Sequence, residues 1–205
     1  MSDRPRIRVE LTERVDVAVL AEVYRVVHAA DLGLVDHSDP TVEQRLDWTA
    51  QAPGFAATIG YADDRVVGAV LGAPLPPETL WWRDLSSDAD PDLVREWPGR
   101  TFAVCEAFVL PEFQRQQVGL RLFPELLASR PEQRASLAVA DSNTGVWRAM
   151  ELRGWQRVGD LVPFPGWRRH AMFVRPLPLD ADPAGTDPPV PAGRPSGGLL
   201  DDGGR

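Results

Sequence analysis

One carboxylate sits alone in an apolar run. In Thr101-Phe102-Ala103-Val104-Cys105-Glu106-Ala107-Phe108-Val109-Leu110 only Glu106 carries a formal charge. A run so nearly apolar reads as a strand covered on both faces, and alternation places Glu106 on the face of Val104 and Phe108. Burial there disfavours the ionised carboxylate and moves its proton affinity towards a value useful to a general base near neutral pH. Two plainer roles stay open for it, as the partner of an arginine or as a group facing water at a strand bend. Cys105 points the opposite way and reads as a small core residue rather than a nucleophile. His28, His37 and His170 show no ligand spacing, so no metal site is expected.

The residues that follow form a strand–turn–helix. Pro111-Glu112-Phe113 stops the strand, Gln114-Arg115-Gln116-Gln117-Val118-Gly119 makes a turn, and Leu120-Arg121-Leu122-Phe123 opens a helix. Such a junction presents free backbone N–H groups at a positive dipole end, a site for phosphate. Arg115 adds a full charge beside it. Pro124 removes the helical bond to the Leu120 carbonyl and predicts a kink.

Other elements must position these groups. Residues 7–11 read as a short strand. Val17, Leu20, Ala21, Tyr24 and Val27 recur at helical spacing within residues 15–30. A second helix fits residues 41–52, capped by Asp39 or Thr41. Residues 55–61 and 65–71 are strands joined by Ala62-Asp63-Asp64, a hairpin signal. Residues 73–100 form a polar insertion holding Trp81, Trp82 and Trp97 among Asp84, Asp88, Asp90, Asp92 and Glu96. A strand over 101–110, a helix over 118–129, a strand over 135–140 and a helix over 144–153 closed by Gly154 come next. Residues 157–162 and 172–175 are two further short strands. Hairpins before the middle of the chain and helix-linked strands after it give a mixed α/β sheet. Residues 1–175 are thus read as one domain. Residues 176–205 are rich in Pro, Gly and Asp without an aromatic, and read as a disordered tail.

At three places, in order and at matching spacing, the sequence resembles the GNAT superfamily of N-acetyltransferases, which use acetyl-coenzyme A. Val109-Leu110-Pro111 and Gln114-Arg115-Gln116-Gln117-Val118-Gly119 stand where that family has its strand end and its pyrophosphate turn of pattern Q/R-x-x-G-x-G/A. Val139-Ala140-Asp141-Ser142-Asn143 and Ala149-Met150-Glu151-Leu152-Arg153-Gly154-Trp155 resemble the family's asparagine and closing helix. The resemblance implies a mostly antiparallel sheet of six to seven strands flanked by helices and splayed between strands four and five. It also implies that the pantetheine arm of the coenzyme lies in that splay, held by backbone groups of Phe108 and Val109. Amides from Arg115, Gln116, Gln117, Val118, Gly119 and Leu120 would take the pyrophosphate. Asn143 would bond the arm or cap the last helix, and Glu106 would accept the amine's proton. Trp81 and Trp82 lie in the insertion beside the expected acceptor, either as a flap shaping its pocket or as packing. The sequence departs from the pattern twice. Gln117 replaces a glycine, with strain of about 1–2 kcal/mol if the position needs positive φ. Met150 replaces a tyrosine, and a thioether donates no proton.

Composition bounds the rest. The 205 residues carry 22 basic and 30 acidic side chains, a net charge of −8, and every basic residue is arginine. That field disfavours polyanions such as nucleic acid or an anionic membrane and suits cationic small molecules. One cysteine can form no internal disulfide, no apolar run reaches 18 residues, and the start lacks a signal-peptide core, so a cytoplasmic protein is expected. The reading is therefore acetyl transfer from acetyl-coenzyme A, without a metal, to a primary amine of a small molecule or peptide. A non-catalytic acyl-coenzyme A-binding module is the alternative, and a homodimer stays open. A toxin acting on charged transfer RNA fits poorly with an isoelectric point near 4.9.

Overall fold

A computed structural model of the chain describes residues 5–86 and 90–179. Asp88 and all but the first four residues of the expected tail lie outside them. The strands β1 (Ile7–Thr12), β2 (Ala56–Ala62), β3 (Arg65–Pro74), β4 (Thr101–Val109), β5 (Arg134–Ala140), β6 (Gln156–Leu161) and β7 (His170–Pro176) form one sheet in the order β1-β2-β3-β4-β5-β7-β6. Only β4 and β5 pair in parallel; every other neighbour is antiparallel. The β2–β3 hairpin closes on Asp63-Asp64, with Asp63 at φ 53°, because a short polar side chain tolerates the left-handed turn position.

Helices cover both faces. On one face lie α1 (Val17–Val27) and α3 (Val42–Ala50), joined through the single turn α2 (Val35–Ser38). Asp16 caps α1, and Thr41 forms a capping box with Gln44 at the start of α3, so Thr41 rather than Asp39 is the cap. These helices pack Leu20, Ala21, Tyr24, Val42 and Leu46 onto Ala57, Ile59, Ala69, Leu71 and Phe108. The insertion contributes α4 (Pro91–Val94), and α5 (Pro111–Gln114) follows β4. On the other face α6 (Val118–Ala128) runs continuously through Pro124 and buries Val118, Leu122, Leu126 and Leu127. Spacing of four between 118, 122 and 126 makes that stripe, worth about 1.5–3 kcal/mol for each large side chain removed from water. α7 (Thr144–Glu151) completes this face. The sheet extends past residue 175: Pro176 belongs to β7, Leu177 N–H donates to Gln133 O at 2.8 Å, and Leu177 and Leu179 pack on the core.

Candidate active site

The site is made by one extra residue in β4. Leu71 of β3 faces Glu106, and the next residue, Gly72, faces Val104, so Cys105 is a β-bulge. Strand β3 must come very close here: a Cβ on Gly72 would lie 1.9 Å from the Ala103 carbonyl oxygen. The bulge breaks the alternation expected from the sequence. Val104 packs on the α6 face, whereas Phe108 packs on the α1–α3 face and Glu106 bonds Arg45 of α3. Glu106 therefore shares a face with Phe108 but not with Val104. Cys105 is exposed rather than part of the core, and the protein crowded around its thiol pushes it up to about 11.

Parallel pairing ends at the same point. β4 and β5 are registered from Thr101 with Arg134 to Val104 with Leu137, and no further. Beyond the bulge the two strands are no longer paired, and the unpaired stretch between them is the cleft. Leu110 N–H donates to Val67 O at 2.8 Å; antiparallel ladders alternate, so the backbone of Phe108 also faces β3. This corrects the expectation for Phe108: the backbone groups turned to the cleft are those of Ala107 and Val109. The Val109 carbonyl accepts from the Gln114 side chain at 3.1 Å.

Glu106 is almost enclosed, its side chain 13% exposed, and it accepts a hydrogen bond of 2.7 Å from Arg45 Nε. Burial lifts its carboxyl above the usual range, and the Arg45 charge pulls it part of the way back. Arg45 projects from the apolar stripe of α3, between Val42 and Leu46. Its Nη1 donates to Pro40 O at 2.7 Å and its Nη2 to the Tyr24 hydroxyl at 2.9 Å. Tyr24 stands 2.6 Å from His37 Nδ1, and His37 Nε2 stands 3.3 Å from Arg168 Nη2. A guanidinium only donates, so Nε2 accepts, and neutral His37 carries its proton on Nδ1 and donates to Tyr24. Burial pulls His37 down, with the Arg168 charge adding to it, and burial pulls His28 down to about 4. Burial and the Glu106 charge push Tyr24 up.

The loop between β6 and β7 closes over this network. Asp36 accepts from Arg168 N–H at 2.9 Å and from Arg168 Nε at 2.5 Å. Although burial opposes it, this pairing holds the Asp36 carboxyl below its usual value. Trp167 Nε1 donates to Asp39 O at 2.7 Å, and its ring lies 5.2 Å from the Arg45 guanidinium carbon. Sequence reasoning named none of Tyr24, Asp36, His37, Arg45, Trp167 and Arg168 as site residues. A signal existed for Arg45, a charge inside the inward stripe of a helix; the others meet only through contacts more than 100 residues apart or across unremarkable loops.

The turn after β4 has a left-handed residue: Gln117 has φ 60° and ψ 21°. It gives α6 no side-chain cap, so the amides of the first turn, Val118, Gly119 and Leu120, are left to an outside acceptor. Arg115 and Gln116 direct their N–H groups to the Phe113 carbonyl, so their side chains, not their amides, face the surface. Together with Pro5, Glu112 and Gln117 they line a pocket of about 550 Å³. Asn143 caps α7, accepting from Val146 N–H at 3.4 Å. Met150 is half-buried against the core.

Of the two insertion tryptophans, Trp82 is corrected to a structural role. It is 6% exposed and donates to Glu96 Oε1 at 2.8 Å, an oxygen that also takes bonds from Thr101 and Arg134. Trp81 is half-buried and donates to Ser136 of β5 at 3.0 Å, within the paired stretch of β4 and β5. Among the described residues no group of three His, Cys, Asp or Glu could hold a metal ion, and no helix is long and apolar enough to cross a membrane.

A model of the Acetyltransferase (GNAT) family matches residues 20–155. Curated protein sequences give no match. The fold is similar to that of the ribosomal-protein-S18-alanine N-acetyltransferase from Escherichia coli, at TM-score 0.59 and 13% identity over 87% of this chain and 99% of that one. It is similar to an aminoglycoside 6'-acetyltransferase type Ii, at 0.57 and 16% over 82% and 96%. It is also similar to a putative GNAT-family acetyltransferase from Desulfovibrio desulfuricans, at 0.58 and 14% over 83% and 99%.

Proposed function

The chain belongs to the GNAT acetyltransferase family, and from that membership we propose that it moves an acetyl group from acetyl-coenzyme A directly to a primary amine of a small molecule or peptide. The observation that carries this reading is the coincidence of the bulge, the end of β4–β5 pairing and the buried carboxylate within residues 104–109. Two of the similar structures are named for amine acceptors, an aminoglycoside and a ribosomal protein's alanine, which supports an amine in general.

The residues fit the coenzyme. Free first-turn amides at Val118, Gly119 and Leu120, with Arg115 unpaired by any carboxylate among the described residues, form an anion site of the kind a diphosphate needs. The cleft between β4 and β5 offers the backbone of Val109, and of Ala107, to an extended amide-bearing arm. When bound, the coenzyme supplies an activated acetyl thioester and a thiolate that leaves readily. Val109 N–H is turned to the cleft, where it can bond a carbonyl oxygen that gains charge during transfer. Glu106, directly or through a water, takes a proton from the acceptor amine. Asn143 keeps its capping role, which orients the start of α7 beside the cleft. No hydroxyl stands at Met150, so departure of the thiolate proceeds without an acid from that position.

The carboxylates nearest the site are paired with arginine. Glu106 pairs with Arg45 and Asp36 with Arg168. In the insertion Glu96 pairs with Arg134 and Asp92 with Arg95, so these two acids do not argue for a cationic acceptor. Positioning of two reactants supplies most of the rate, and the base adds about 10²–10⁴-fold. Replacing Glu106 by Gln is expected to cut turnover at pH 7 at least tenfold while calorimetry with acetyl-coenzyme A stays unchanged. Equal turnover removes Glu106 from the chemistry. Coenzyme binding without thiol release across a broad amine panel would favour a non-catalytic binding module instead.

A further inference from the structure

We propose that Arg45 is the positioning residue of this site: its guanidinium, anchored on the Pro40 carbonyl and the Tyr24 hydroxyl, fixes the Glu106 carboxylate and sets the pH at which the enzyme works. The inference rests on Glu106 acting as the base and goes beyond it, because it assigns a task to a residue 61 positions away on another element.

The geometry argues for more than a structural ion pair. Arg45 is 8% exposed on its side chain, and three different groups take its donors: Glu106 Oε1, Pro40 O and the Tyr24 hydroxyl. The three groups come from three different parts of the chain, namely β4, the segment before α3, and α1, so two of them hold the guanidinium against the third. A carboxylate bonded to one rigid donor loses the freedom to rotate away from its target, and a planar guanidinium held by its neighbours is such a donor. Trp167 and Tyr24 flank the guanidinium, their rings 5.2 and 5.3 Å from its central carbon. These rings also keep water from the pair. Among the described residues Arg45 makes no hydrogen bond to the backbone of Ala107 or Val109, so it acts through Glu106.

Other ionisable groups face the pair from each packed element. Tyr24 and His28 come from α1, Asp36 and His37 from α2, Cys105 from β4, and Arg168 and His170 from the β6–β7 side. Burial pushes Tyr24 towards alkaline values and pulls His28, His37 and His170 to the acid side. Arg168 holds Asp36 low. The acidic limb of the rate profile is thus assigned to Glu106, and the assignment is checked by its loss in Glu106→Gln.

An opposite charge at this distance lowers a carboxylate by about 1–3 pH units. Arg45→Met should therefore move the acidic limb of kcat/KM up by about 1–3 pH units, with turnover recovering at alkaline pH. Arg45→Lys should restore most of the shift. In a Glu106→Gln background Arg45→Met should change turnover less than twofold. Thermal melts establish that each variant is folded. Should Arg45→Met fail to fold, Tyr24→Phe removes one anchor alone and should move the limb in the same direction by less than one pH unit. An unmoved limb in a folded variant, or an equal loss at all pH values, overturns the role of Arg45 while Glu106 keeps its own. Full activity in Glu106→Gln overturns both.

Discussion

The latch between Asp36 and Arg168 permits a worked prediction. Asp36 is 5% exposed on its side chain and Arg168 31%, and the carboxylate accepts two bonds from that one residue, its backbone N–H and its Nε. Hydrogen bonds to a charged group are worth about 1.5–3 kcal/mol each. Arg168 touches water along a third of its surface, so solvent replaces part of what is lost and the net cost of Asp36→Ala is about 2–3 kcal/mol. For a folded unit of this size that lowers Tm by about 4–12 °C. The pH dependence has a fixed sign. The native carboxyl is held below its unfolded value, so the stabilisation is complete above that value, near pH 4, and fades as pH falls through the native one. Calorimetric melts of wild type and Asp36→Ala should differ by the full amount from pH 6 to 8 and converge below pH 4. Amide exchange in residues 162–169 should quicken in the variant. A Tm difference under 1 °C at pH 7, or a gap that persists undiminished at pH 3, refutes the latch.

Two further outcomes follow from the same physics. Native His28 titrates near 4 against 6.5 in the unfolded chain, so the unfolded state binds the extra proton between those values and stability rises with pH across that window. The slope is worth about 1–3 kcal/mol for this half-buried ring; unfolding in urea at pH 5 and 7 should show His28→Phe with a flatter dependence, and equal slopes would contradict the burial argument. Gln117→Gly removes about 1 kcal/mol of left-handed strain but raises the freedom of the unfolded chain by nearly as much. Tm should then move by no more than about 3 °C. Titration with acetyl-coenzyme A should change Kd less than about fivefold, whereas a loss beyond tenfold would mean that the glutamine side chain itself grips the ligand.

How much of this was legible in the sequence depends on the range of the interaction involved. The turn, α6, β5 and α7 were readable because their signals are local: a proline stop, an inward stripe spaced by four, a glycine at residue 154 with φ 77° after the last helix. The face carrying Glu106 was misread because alternation assumes an unbroken ladder, and the break at Cys105 is fixed by Gly72 on a neighbouring strand. For Trp82 the sequence leaves a flap over the pocket and simple packing both open, and the structure gives packing. Its burial depends on Glu96 finding Arg134 38 residues later. The roof of the site escaped notice for the same reason, since Arg168 and Asp36 are 132 residues apart.

The bulge at Cys105 links fold and chemistry more directly than any single side chain. Without the extra residue, Glu106 would lie on the α6 face among Phe102, Val104 and Leu137. With it, the carboxylate turns to the α1–α3 face, where Arg45 already projects from an apolar stripe. The same irregularity coincides with the last β4–β5 register pair, so pairing ends at the residue that redirects the Glu106 carboxylate. A bulge strengthens local twist and ends regular pairing, and those two consequences account for the lost β4–β5 pairing and the reoriented carboxylate together. The buried pair then follows from geometry: an ionised Glu106 on that face would be costly alone, and Arg45 is the group that the fold places within 2.7 Å of it.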